Sequence, residues 1–92
     1  MERRDVLSLP SELTHSQANT CLAQLRAGLE AAPVGENVVI DASALQRFDS
    51  SALAVLLELR RIAQRSNKTL QVQSQPAHLS DLAKLYGIET LL

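Results

Sequence analysis

At 92 residues the chain has room for one small domain and not two, and 46% hydrophobic residues against 2% aromatics demand a core of Leu, Val, Ile and Ala. A net charge of −1 without a basic block excludes the electrostatic footprint of nucleic-acid binding. A single cysteine excludes an internal disulfide or a cysteine metal cluster, and no apolar run approaches the ~18 residues of a membrane span, so a cytosolic domain is expected.

Val6-Leu7-Ser8-Leu9 is a short strand candidate closed by Pro10, which suits the edge of a sheet. Thr14-His15-Ser16-Gln17 has the Thr-x-x-Gln form of a capping box, with Leu13 ahead of it as a staple. Ala18, Cys21, Leu22, Leu25 and Leu29 then fall on one helical face. They predict a helix over about residues 15–31, ended by Pro33 and Gly35, with Cys21 as a small core residue. The β-branched run Val38-Val39-Ile40 predicts an interior strand over residues 37–40, covered by helices on at least one face and closed by Asp41.

Leu45 and Phe48 anchor a polar connection that reaches Asp49-Ser50-Ser51, where Asp49 or Ser50 is the natural N-cap of a second helix. Steps of about 100° per residue put Ala52, Val55, Leu56, Leu59, Ile62 and Ala63 on its core stripe. Leu53 and Leu57 fall on a flank shared with Arg60 and Gln64, which fits either a wide core face or a surface for a partner. Ser66-Asn67-Lys68 ends the pattern, and Thr69–Gln73 alternates as a half-exposed strand should. Pro76 leads into a third helix over His78–Tyr86, stopped by Gly87. Ile88–Leu92 is a short apolar tail, either a last strand or packing for helix ends. The order β-α-β-(β)-α-β-α predicts one α/β domain over residues 1–92: a small mixed sheet of about four strands covered by helices, with one strand ahead of the first helix.

Catalytic constellations are not legible. His15 and His78 stand alone near helix starts, without acidic or cysteine partners at metal-ligand spacing, and three glycines form no phosphate-cradling loop. No metal or cofactor is therefore expected. Asp41 and Asp49 read more simply as a strand end and a helix cap than as a catalytic pair. Ser50 and Ser51 admit two readings. Their hydroxyls can cap the helix, or one can carry a phosphate that the helix dipole tolerates and that changes the surface beside Asp49. A hydrolase built on either serine lacks a visible base.

The strand ending in Asp41, followed by Phe48-Asp49-Ser50-Ser51-Ala52-Leu53, resembles the central signature of STAS domains, the fold of bacterial anti-sigma factor antagonists. The stretch Leu82-Ala83-Lys84-Leu85-Tyr86-Gly87-Ile88 is similar to the end of the small STAS subunit, MlaB type, of Mla phospholipid transporters. The resemblance covers about residues 6–90. It implies a non-enzymatic accessory subunit, cytoplasmic and peripheral to the inner membrane, without membrane insertion of its own. Its partner is then the ATPase subunit of an ABC transporter, with its permease, and its role the support of assembly and activity in maintaining lipid asymmetry. Ser50 matches the threonine that touches the ATPase in that subunit, and Ser51 the residue phosphorylated in anti-sigma factor antagonists. The expected contact surface is Arg47, Asp49, Ser50, Ser51, Leu53, Leu57 and Arg61, with Ser50 as the central small hydroxyl. The alternative is a switch controlled by phosphorylation of Ser51, with a kinase-type anti-sigma factor as partner. Ala52 stands where the phosphorylated proteins carry Gly, which favours the transporter reading.

Overall fold

The computed structural model describes residues 5–88. Five strands and three helices follow one another as β1 (Asp5–Ser8), β2 (Glu12–Leu13), α1 (Ala18–Ala31), β3 (Asn37–Asp41), β4 (Arg47–Phe48), α2 (Ser50–Arg65), β5 (Thr69–Gln73) and α3 (Ala77–Leu85). The strands form a three-stranded sheet in the order β1-β3-β5 and a separate pair, β2-β4. The α/β class stands. The single mixed sheet of about four strands does not: among the described residues every pairing is parallel, and the strands divide three and two. Connectivity is the reason. A helix separates β1 from β3 and another separates β3 from β5, and such crossovers return the chain in the same direction.

The central strand is β3, flanked by β1 at one edge and β5 at the other. Val38 and Ile40 point into the helix-covered face beside Leu7, Leu70 and Val72, while Val39 is buried on the opposite face. Alternation in β5 sends Leu70 and Val72 inward and leaves Thr69, Gln71 and Gln73 exposed. All six residues assigned to the core stripe of α2 are buried, and so is Leu53. On α1, Cys21, Leu25 and Leu29 are buried, and Ala18 and Leu22 pack against the core more loosely. Burial raises the Cys21 thiol pKa above its ordinary value.

Two departures occur ahead of α1. Two strands precede it, not one, because Glu12–Leu13 pairs with Arg47–Phe48; the Ser11 carbonyl also accepts from the Gln46 and Arg47 N–H groups at 2.8 and 3.0 Å. The helix then begins at Ala18, three residues later than the capping-box reading required. Only half of that box forms. Gln17 Oε1 accepts from the Thr14 N–H at 3.0 Å and also from the Thr14 hydroxyl, which is thereby turned away from the helix end. Residues 14–17 make a turn of their own, closed by the Gln17 N–H on the Thr14 carbonyl at 3.0 Å.

Both later helices end on a left-handed residue. Asn67 (φ 55°) follows α2, and the Lys68 N–H turns back to the Ala63 carbonyl at 2.9 Å. That reversal buries Lys68, whose Nζ donates to the carbonyls of Leu29 (2.8 Å) and Glu30 (3.3 Å) at the end of α1. Gly87 (φ 70°) follows α3 in the same way, its N–H on the Lys84 carbonyl at 3.0 Å and the Ile88 N–H on the Ala83 carbonyl at 2.9 Å. Ile88 is half-buried against the core as a result; the rest of the apolar tail, residues 89–92, lies outside the described residues.

Candidate functional site

The N-terminus of α2 is set by Asp49. Its backbone is extended, and Oδ1 accepts from the Ser51 N–H at 2.8 Å, as an N-cap should. Oδ2 accepts from the His15 N–H at 3.1 Å, so one carboxylate ties the turn ahead of α1 to the start of α2. The Ser51 bond first, and the His15 bond after it, hold the Asp49 carboxyl below its ordinary pKa. Asp41 behaves alike: it ends β3 and its Oδ1 accepts from the Ser43 N–H at 2.9 Å, which lowers its pKa.

The two serines face different surroundings. Ser50 is exposed and heads a shallow apolar groove of about 350 Å³ lined by Leu53, Ala54, Leu57, Tyr86 and Ile88. Ser51 is half-buried and lines a second cleft, between α1 and α2, with Leu22 and Glu58. Ala54 is exposed and belongs to both. The outward ridge of α2 is thus small at its N-terminal end, with an apolar wall on either side.

Among the expected contact residues, the structure gathers Ser50, Leu53 and Leu57 into the first groove. Leu53 is only 3% exposed and serves the core as well as the groove wall, whereas Leu57 is half-buried. Arg61 is exposed one turn further along, where it shares a crevice with Leu57, Arg60 and Gln64 and lies 3.8 Å from Glu58. Arg47 is on β4, outside both grooves, with Glu12 at 4.0 Å. Asp49 shapes the site from beneath through its two backbone bonds.

Two participants were not anticipated as site residues, Tyr86 and Ile88. Tyr86 is 57% exposed and its neighbour Leu85 79%, a large apolar surface beside the groove. The signal was present in the Leu-Tyr-Gly-Ile run: the helix stop at Gly87 that turns Ile88 inward leaves Tyr86 on the rim.

His15 meets the site through its backbone N–H. Among the described residues no three His, Cys, Asp or Glu side chains gather to hold a metal, and no helix is long and apolar enough to cross a membrane. What the arrangement offers is a contoured, largely apolar surface with a small hydroxyl at one end.

Comparison with known proteins bears on that surface. A family model described as "Mlab, STAS domain" matches residues 2–92. The fold is similar to that of an anti-sigma-factor antagonist (STAS) domain protein from Planctomyces limnophilus, with a TM-score of 0.79 at 17% identity, over 94% of this chain and 76% of that one. No curated protein matches the sequence.

Proposed function

The chain belongs to this STAS domain family, and from that membership we propose that it is a non-enzymatic accessory subunit that docks on the cytoplasmic ATPase of an Mla-type phospholipid ABC transporter. Through the ATPase and its permease it sits at the inner membrane and supports the assembly and activity that maintain lipid asymmetry. One observation carries the reading: the exposed Ser50 at the head of an apolar groove walled by Leu53, Leu57, Tyr86 and Ile88. Apolar walls with a small residue at the entrance fit a protein partner, and a few buried anchors dominate such contacts. A phosphate at Ser51 is less well served. Its backbone N–H already bonds Asp49, and Glu58 lines the same cleft, so a dianion there meets two carboxylates and a donor in use.

The experiment is affinity capture by the tagged chain from cytoplasm and detergent-solubilised membranes, with mass spectrometry of both bait and captured proteins. An ABC ATPase with its permease, and unmodified serines on the bait, is the expected result. A kinase-like protein captured together with phosphate on Ser51 overturns the reading in favour of the switch.

A further inference from the structure

Among the described residues Lys68 is the one charged residue that is buried. Burying an ammonium is costly unless its donors are satisfied, and here they meet the Leu29 and Glu30 carbonyls at 2.8 and 3.3 Å. Those carbonyls end a helix whose own termini are poorly served. The last turn of α1 holds no basic residue and does hold Glu30, whose charge is unfavourable at the negative end of a helix. Its N-cap, Gln17, makes no side-chain cap bond. Other bonds tie the same end of the molecule: the Gly35 N–H donates to the Asn67 carbonyl at 3.0 Å, and the Thr69 N–H to the Glu36 carbonyl at 3.1 Å. These two hold the loop after α1; the Lys68 bonds reach α1 itself.

A second charged tie joins the same two helices at their other end. Asp49 caps α2 and also accepts from the His15 N–H, in the turn that leads into α1. Asp49 and Lys68 flank α2 on either side, so the helix sets them about 24 Å apart. An anion holds the N-terminal end of the pair and a cation the C-terminal end, each opposite in sign to the helix charge that it meets. Between them lies the cleft in which Ala18, Asn19 and Leu22 of α1 face Ser51, Ala54 and Glu58 of α2. We propose that Lys68 and Asp49 are the two ends of a clamp that seats α1 against α2, so that α1 leaves as one body, and the cleft at Ser51 opens, only when both let go. The clamp belongs to the chain alone and stands whether or not an ATPase docks on it.

The reporter is Cys21, the single cysteine, buried on α1 about two turns from the Lys68 contact at Leu29. Its labelling by a thiol reagent is followed in native buffer and in low urea for wild-type chain, Lys68→Met, Asp49→Asn and the double variant. Lys68→Met keeps the stem and loses the donors. It is expected to label about tenfold faster than wild type or more, with a weak dependence on urea, because α1 opens without unfolding the sheet. The double variant is expected to multiply the two single accelerations. A wild-type labelling rate in folded Lys68→Met, with loss of amide-exchange protection confined to the last turn of α1, overturns the clamp and leaves only an end cap. Acceleration with the steep urea dependence of global unfolding overturns it as well. Should Lys68→Met fail to fold, acetylation of the wild-type chain decides. The exposed Lys84 serves as the freely reacting control, and Lys68 is expected to share the urea dependence of Cys21. Different dependences for Lys68 and Cys21 overturn the clamp.

Discussion

Asp49 is the residue on which the geometry of the site turns, since its carboxylate caps α2 through the Ser51 N–H and reaches back 34 positions in the chain to the His15 N–H. Half of that role is legible in the sequence: an aspartate followed by two serines and an apolar helical stripe reads as an N-cap. The His15 half is not, because nothing local records which backbone donor a turn brings across the fold. The bonds carry a pH signature. A carboxyl held below its ordinary 3.8 when folded contributes stability that is fully present above that value and is lost as pH falls through the lower folded value. The melting temperature is therefore expected to fall as acid is added below about pH 4. Asp49→Asn, which offers no charge to either donor, is expected to melt lower at neutral pH and to decline less steeply in acid. Some decline remains, because the Asp41 carboxyl is lowered in the same way by Ser43. Equal slopes in thermal melts from pH 6 to pH 2 remove Asp49 from this role.

The elements divide by length into those that pattern reveals and those it does not. In α2, a sixteen-residue helix, periodicity finds all six core-stripe residues and errs at Leu53, read as flank and buried at 3% exposure, while β3 and β5 declare themselves by a β-branched run and by alternation. The two-residue strands β2 and β4 carry no period and exist only because tertiary packing sets them side by side. The start of α1 was misplaced because Gln17 bonds Thr14 instead of leaving its hydroxyl to cap. Two substitutions test the element-level account. Leu56 is 1% exposed on the core stripe, so Leu56→Ala is expected to cost about 2–5 kcal/mol in chemical denaturation. Gly87→Ala puts a side chain on a left-handed residue and is expected to cost about 1–2 kcal/mol. It should also weaken partner binding, because the Gly87 turn is what sets Ile88 into the groove wall; unaltered binding by a folded Gly87→Ala separates the wall from the contact.

For the molecule as a whole, the α/β order and the family were both readable from a strand, a helix N-terminus and a C-terminal run of seven residues. The shape of the site was not. The groove needs α2 and the end of α3 together, and the thirty-odd residues between Leu53 and Tyr86 hide that meeting from any local pattern. It is this juxtaposition that turns a list of contact candidates on one helix into a surface with two walls and a charged end. The central claim is that this surface docks an ATPase and that Ser50 occupies its entrance. Titration calorimetry of the captured ATPase with wild-type chain and with Ser50→Arg, alongside thermal melts of both, tests it most directly. The account predicts that Ser50→Arg loses binding while its melting temperature stays within about 4 °C of wild type, as an exposed position allows. Wild-type affinity in Ser50→Arg, or a loss of binding that only accompanies a loss of folding, contradicts it.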